Sequence, residues 1–168
     1  LGAAAFEGVI PSGEALWRDM AAGRVAARSL LPVERAPGDA AEWAVGLDVT
    51  LTDRLDTAEA VLLMGLPDGA DPAGPAALLA GARARGLPVL CTNPDRASPR
   101  AGGVTVVSPG ALAHDHAAAG GRVQVYGKPY LPVFRAVEAA LGLPSRRLLM
   151  VGDSLEHDIA GAAAAGWA

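Results

Sequence analysis

Two aspartates near the end of the chain, Asp153 and Asp158, have the spacing of a paired-carboxylate site. The run Leu148–Val151 before them is apolar and uncharged, which is typical of a strand buried on both faces of a parallel sheet. Gly152 ends that run, and the alanine-rich stretch 155–165 favours a helix. Because ligands of open α/β sheets bind at the carboxyl ends of the strands, we expect both carboxylates in one crevice. Two carboxylates suit a hard cation such as Mg²⁺, although Asp153 could also serve as the N-cap of the helix.

The next candidate is Lys128, the single lysine of a chain that carries thirteen arginines. It follows Val123–Tyr126, a second apolar run that is expected to form a strand and that ends at Gly127. A compact ammonium beside metal-binding carboxylates can neutralise the charge of a phosphoryl group. Lys128 and the two aspartates together therefore indicate phosphate chemistry.

A third polar group, Asn93 and Asp95, flanks Pro94 directly after the apolar run Leu87–Cys91. Proline fixes its own backbone angle, and Asn and Asp side chains bond to neighbouring backbone groups, so this composition forms tight turns. The local sequence therefore explains Asn93 and Asp95 as turn formers without assigning them a function.

Three segments together resemble motifs of the haloacid dehalogenase (HAD) superfamily of phosphatases: TNPD at 92–95, GKP at 127–129 and VGDSLEHD at 151–158. The proline after the lysine is similar to the class with an inserted α/β cap, the NagD and p-nitrophenyl phosphatase group. An unrelated dinucleotide-binding fold is disfavoured because no G-x-G-x-x-G follows any predicted strand.

The resemblance implies a role for each candidate residue. Asp153 would be a ligand of Mg²⁺, the implied cofactor, and Asp158 would be either a weaker ligand or the residue that orients the lysine and metal-bound water. Lys128 would be catalytic together with Asp158, because it would neutralise the phosphate and the attacking carboxylate. The TNPD segment would be a cap loop over the active site, so Asn93, Asp95 and Lys128 are the substrate-binding candidates. The substrate would be a small phosphorylated metabolite.

The predicted fold is α/β: a HAD-like Rossmannoid core with a parallel sheet, present only in part, and an inserted α/β cap domain. Residues 1–23 are expected to be a core segment with an exit helix at 13–22, residues 24–122 the cap, and residues 123–168 the core segment with the Lys and GDxxxxD motifs. Strands and helices alternate, as such layers require. The strands are expected at 27–33, 48–52, 60–64, 87–91 and 102–107, and the helices at 71–85, 109–119 and 131–141.

The family's nucleophile motif, DxDG, has no counterpart, because Ala5 and Glu7 stand at the matching positions. The segment Glu7–Val9 is thus either part of the exit from the core or a decayed first motif, and the phosphate-holding Ser or Thr of the second motif is not found. Since the chain begins with Leu1 and stops at Ala168 after a helix, we expect a fragment that is nearly inactive alone. The alternative is a non-catalytic HAD relative that binds phosphates or sugar nucleotides and has lost the nucleophile.

The overall composition limits the classes of partner and the cellular compartment that we expect. A net charge of −4 without a basic cluster argues against nucleic acid, and no run approaches the roughly 18 apolar residues needed to span a bilayer. The single cysteine, Cys91, is expected to be a small buried residue and indicates a reducing, cytoplasmic compartment. A homo-oligomer would form through the cap, as caps of this family often do. His114 and His116 flank Asp115 but do not share a helix face, so we expect a solvated surface there.

Overall fold

In the computed structural model, which describes residues 6–67 and 69–168, five strands form a parallel sheet and two form a separate hairpin. The strands are β1 (Ser29–Val33), β2 (Thr50–Leu51), β3 (Ala60–Leu63), β4 (Val89–Cys91), β5 (Ala97–Pro99), β6 (Thr105–Val107) and β7 (Val123–Val125). The parallel sheet has the order β2-β1-β3-β4-β7, and β5 pairs antiparallel with β6. The predicted α/β class with a parallel sheet is confirmed, although the strands are shorter than expected.

The helices are α1 (Ser12–Ala21), α2 (Asp39–Trp43), α3 (Ala73–Ala84), α4 (Pro109–Ala118), α5 (Leu131–Leu141) and α6 (Ala160–Ala165). The helix predicted over 155–165 begins as a π-helical turn, Leu155–Ile159, and continues as α6. Among the described residues, no helix combines the length and the hydropathy that crossing a bilayer requires.

The sheet buries both faces, because successive side chains of a strand point to opposite sides. Leu62 of β3 packs in a cluster with residues of α1 and α5, whereas Val61 and Leu63 pack in a second cluster with residues of α3 and α4. The register Val61↔Val89 and Leu63↔Cys91 continues this alternation into β4. Helices packed on both faces therefore hold the sheet in place, and the carboxyl ends of β3, β4 and β7 lie at one edge of it.

The strand predicted at Leu148–Val151 is wrong as a buried sheet strand. The segment is extended, but Leu149 is 68% and Val151 86% exposed. Its backbone bonds join Met150 N–H to the carbonyl of Ala168 and Ala168 N–H to the carbonyl of Leu148, at 2.9 and 3.1 Å. An uncharged apolar run specifies a preference for burial but not a partner, and in the part of the chain that the structure describes no strand of the sheet pairs with it.

The predicted return to the core at residue 123 falls inside the sheet. β7 pairs in parallel with β4, with Val89 opposite Val123 and Cys91 opposite Val125. One sheet thus continues across the predicted boundary at 122–123. The division into residues 1–23, 24–122 and 123–168 remains a prediction.

Candidate active site

Asp158 and Lys128 form an ion pair at the centre of the site. The Asp158 side chain is only 3% exposed and accepts hydrogen bonds from the Lys128 ammonium and, at 3.1 Å, from the backbone N–H of Ser154. The hydrogen bond from Lys128, outweighing the effect of burial, holds the pKa of Asp158 below its usual range. Asp158 is therefore a buried carboxylate that fixes the position of the ammonium group.

The sequence around Asp158 explains how its carboxylate reaches this position. It lies in the π-helical turn, a geometry that appears mostly as single turns and often at functional sites. Ser154 caps that turn by accepting a 3.1 Å hydrogen bond from the N–H of His157. Gly152 passes so close to Asp158 that a Cβ atom on Gly152 would overlap with the carboxylate. Glycine at 152 is thus a steric requirement of the buried Asp158.

Lys128 is positioned by the end of β7. Tyr126, at 0% exposure, donates a hydrogen bond from its hydroxyl to Asp19 of α1 at 3.1 Å. Burial, together with the carboxylate of Asp19, raises the pKa of Tyr126 well above its usual range, so the tyrosine stays neutral. This anchor leaves Gly127 and Lys128 at the carboxyl edge of the sheet.

Asp153 is exposed, and its carboxylate has no hydrogen-bond or ion-pair partner among the described residues. It lines the same cavity as Asp158. Within residues 6–67 and 69–168, no group of three or more His, Cys, Asp or Glu side chains could hold a metal ion by itself. Mg²⁺ is usually bound by one or two carboxylates with waters and substrate phosphate, and Asp153 with Asp158 fits that donor set.

The loop Asn93–Asp95 is held from several sides. The Asn93 side-chain oxygen accepts a hydrogen bond from Asp95 N–H at 3.1 Å, which is the turn that the sequence predicts. Its backbone carbonyl accepts a 3.1 Å bond from the Cys91 thiol. Cβ atoms on Gly110 and Gly127 would both overlap with Pro94, so α4 and the end of β7 press against the loop.

Cys91 is buried, as the sequence predicts. Burial raises the pKa of its thiol to about 11, and the bond to Asn93 opposes that shift only in part. A thiol with this pKa is almost wholly protonated near neutral pH, so Cys91 supports the loop rather than acting as a nucleophile.

One cavity of about 560 Å³ brings the predicted residues together. All five of them line it: Asn93, Asp95, Lys128, Asp153 and Asp158. The structure thus shows that these five residues lie together, and their chemical roles remain predictions.

The cavity also has walls that the sequence analysis missed. Ser12, the first residue of α1, lines the cavity, as does Thr92 at the end of β4. His157 also lines the cavity and is half-buried, with its Nδ1 2.8 Å from Ser154 Oγ. The sequence signal for Ser12 and Thr92 was their place after an apolar run, at the start of a helix or the end of a strand.

The solvated surface predicted for the segment from His114 to His116 is wrong for His116. Its side chain lies between α4 and the backbone of Gly121 and is 3% exposed. Neither ring nitrogen has a hydrogen-bond partner among the described residues. Residues two apart point in different directions on a helix, so His116 is buried while His114 is only half-buried.

The chain is similar in sequence and fold to known hydrolases. Residues 125–168 match the HAD-hydrolase-like family model. A haloacid dehalogenase-like hydrolase from Brucella suis is 32% identical, with a TM-score of 0.78 over 99% of this chain and 64% of that one. A p-nitrophenyl phosphatase from Archaeoglobus fulgidus is 24% identical, with a TM-score of 0.75 over 93% of this chain and 58% of that one.

A third similar structure is a glycerol phosphate phosphatase from Mycobacterium tuberculosis in complex with magnesium. It is 26% identical, with a TM-score of 0.73 over 95% of this chain and 47% of that one. A search of curated proteins finds no significant match. The chain thus spans between about half and two thirds of the length of these three structures.

Proposed function

Since the chain belongs to the HAD superfamily, we propose that it is part of a Mg²⁺-dependent phosphomonoester hydrolase of the NagD and p-nitrophenyl phosphatase group. The reaction would pass through an aspartyl-phosphate whose nucleophile lies outside these 168 residues. The substrate would be a small phosphorylated metabolite of the cytoplasm, and the cap would mediate any homo-oligomer.

The observation that carries this proposal is the Lys128–Asp158 ion pair at the wall of the 560 Å³ cavity. The buried carboxylate of Asp158 fixes the position of the Lys128 ammonium group, which is itself half-exposed. A fixed cation of this kind stabilises the charge that spreads over phosphoryl oxygens during transfer. Lys128 would therefore bind the phosphate of the substrate and offset the charge of the attacking carboxylate.

The remaining residues would position the substrate and the metal. Asp153, whose oxygens have no partner among the described residues, would be the main protein ligand of Mg²⁺, with Asp158 as the weaker one. When bound, Mg²⁺ would neutralise further charge on the phosphate oxygens. Asn93 and Asp95 would lie over the bound phosphate ester from the loop that α4 and β7 hold in place.

One sequence observation favours a second candidate, a non-catalytic relative that binds phosphates or sugar nucleotides. The family's DxD nucleophile pair is absent from the residues that line the cavity. Such a protein would use Lys128, Asp153 and the Asn93–Asp95 loop for binding alone.

Magnesium-dependent phosphate release from p-nitrophenyl phosphate separates the two candidates. It is measured for the 168-residue chain and for the chain extended upstream. The hydrolase predicts activity in the extended chain only, lost at least 100-fold in Lys128→Ala and Asp153→Ala, since removing one charge-stabilising group of a transition state costs about 10²–10³ in rate. Arg135→Ala, an exposed substitution on α5, is the control and should leave the rate unchanged.

Activity in the short chain would show that the nucleophile lies within it. No phosphate release by either chain, with retained binding of inorganic phosphate, would favour the non-catalytic binding protein.

A further inference from the structure

A second cavity, of about 500 Å³, adjoins the first along the edge of the sheet. The two share Met64, which follows β3, and Thr92 and Asn93, which follow β4. The second extends past β3 to the end of β1, where Arg35 lines it. The two cavities are therefore adjacent, and both lie at the carboxyl ends of the strands, where ligands of open α/β sheets bind. We call the second one the Arg35 cavity.

The Arg35 cavity carries a charged group that the fold leaves available. The Arg35 guanidinium is exposed and has no hydrogen-bond or ion-pair partner among the described residues. Its backbone is held closely, because a Cβ atom on Gly65 would lie 2.7 Å from Arg35 Cβ. The glycine therefore lets the loops after β1 and β3 meet and keeps Arg35 at the wall of the cavity.

The wall of the Arg35 cavity that α4 forms is polar and is held in place by a side-chain hydrogen bond. Ser108, only 3% exposed, lies at the start of α4 with its hydroxyl 2.6 Å from Ser98 Oγ of the β5–β6 hairpin. This bond ties the hairpin to α4. The wall is therefore a fixed part of the fold that can accept or donate hydrogen bonds to a bound group.

Trp43 joins the Arg35 cavity to the first one. Its indole N–H donates a 2.8 Å hydrogen bond to the carbonyl of Gly13, which lines the first cavity. The ring is thereby fixed at the junction and offers an apolar surface to the carbon atoms of a ligand. Glu42, one residue before the end of α2, adds an acceptor to the lining of the same cavity.

We propose that the Arg35 cavity binds the leaving group of the phosphate ester. The carbon skeleton would lie against Trp43, and a hydroxyl or carboxylate oxygen would accept hydrogen bonds from Arg35. The substrates favoured by this arrangement are phosphate esters of small polyols or hydroxy acids, rather than aryl phosphates. The inference rests on the proposed function, because it requires the phosphate at Lys128.

A third cavity, on the other side of Pro94, is the competing location. It is lined by Pro94, Pro129 and Tyr130 together with His114 and His157, and it does not include Arg35. Its apolar rings would suit an aryl group. The carboxyl ends of β1 and β3 form no part of it, so the position of the sheet edge favours the Arg35 cavity.

Calorimetric titration of the 168-residue chain in Mg²⁺ tests the assignment, with inorganic phosphate and 3-phosphoglycerate as probes. We expect 3-phosphoglycerate to bind about tenfold more tightly than phosphate, because one hydrogen bond to a charged group is worth at least that factor. Arg35→Ala should abolish the difference and leave phosphate affinity unchanged. Arg135→Ala, an exposed arginine that lines none of the cavities described above, is the matched control for charge.

The outcomes separate this inference from the proposed function. If Lys128→Ala weakens both probes but Arg35→Ala changes neither, the phosphate site stands and the Arg35 cavity is overturned. A loss in Tyr130→Ala instead of Arg35→Ala would place the leaving group beyond Pro94. Failure of both probes to bind the wild-type chain would overturn the phosphate site and this inference together.

Discussion

β3 and the segment Leu148–Val151 are both four-residue apolar runs, yet they lie in opposite environments. All four residues of β3 are 0% exposed, whereas Leu149 and Val151 are largely exposed. β3 lies between β1 and β4 and has helices on both faces, while the backbone of Leu148–Val151 bonds to Ser145 and Ala168 and, within the described residues, to no strand of the sheet. Burial therefore follows from the neighbours that the fold supplies to a run, and composition decides only whether the run can accept them.

The candidate site lies where these two regions meet. The sheet supplies Asn93 and Lys128 from the ends of buried strands, and the exposed segment leads into Gly152 and the turn that buries Asp158. The Lys128–Asp158 pair is the link between the regions. The predictions below therefore change each region in turn and measure stability and phosphate binding.

The largest expected effect is a difference between two matched truncations. Leu62→Ala removes a fully buried side chain from β3 and should lower the free energy of unfolding by about 3 kcal/mol, since core Leu→Ala changes cost 2–5 kcal/mol. Leu149→Ala removes an exposed side chain and should stay within about 0.5 kcal/mol of wild type. Urea unfolding of both variants measures the difference.

Equal losses in the two variants would contradict the comparison, because they would mean that Leu149 is covered in solution. A wild-type cooperativity of unfolding in Leu149→Ala serves as the control that the fold is intact.

The buried half of the fold could be predicted well from the sequence, because its signals are local. Val61 and Leu63 stand in an uncharged run closed by Gly65, and helices such as α5 end at Gly142, whose φ of +63° favours glycine. The position of Leu148–Val151 could not be predicted, because it depends on a pairing partner elsewhere in the chain that the local sequence does not specify.

The site was predictable in its members but not in its contacts. Lys128, Asp153 and Asp158 stood out by type and spacing, and they line one cavity. The direct bond from Lys128 to Asp158 spans 30 residues and depends on the π-helical turn, which has no sequence pattern of its own. Ser12 and Arg35 were not predicted as site residues, because a serine at the start of a helix and an arginine in a loop are both common. Only the fold, which brings them to the carboxyl ends of the strands, gives them a role.

The second prediction concerns glycines, one from each region. Gly152→Ala places a methyl group where the Asp158 carboxylate lies, so Asp158 must move and release Lys128. We expect a loss of about 1–3 kcal/mol, as for other overpacked sites, with a clear loss of inorganic phosphate binding. Chemical unfolding and calorimetric titration measure the two effects.

Gly74→Ala is the control, because nothing lies within 4 Å of the added Cβ atom in helix α3. It should stabilise the chain by up to about 1 kcal/mol and leave phosphate binding unchanged, since alanine favours helices over glycine. Retained phosphate affinity in Gly152→Ala would mean that Lys128 does not need Asp158 to be held in place.

The smallest effect, a dependence of stability on pH, compares two histidines. His157 in the exposed region has Ser154 as a partner, whereas His116 in the buried region has none among the described residues. Burial lowers the pKa of His116, and the positive charge of Arg83 on the facing helix α3 lowers it further. The folded chain therefore binds a proton at His116 less well than the unfolded chain does.

The sign of the effect follows from this difference in proton binding. Stability should be constant above about pH 6.5, the ordinary histidine value, and should fall as the pH drops below it, because the unfolded chain takes up the proton first. One group can contribute at most about 1.4 kcal/mol per pH unit. His116→Leu should remove this slope between pH 7.5 and 5, whereas His114→Gln on the same helix should retain it. Gly110 of α4 lies against Pro94, so a change at His116 can reach the loop of the site. Lowering the pH should therefore also weaken phosphate binding more in wild type than in His116→Leu. An identical response to acid in the two chains would show that His116 is not the titrating group.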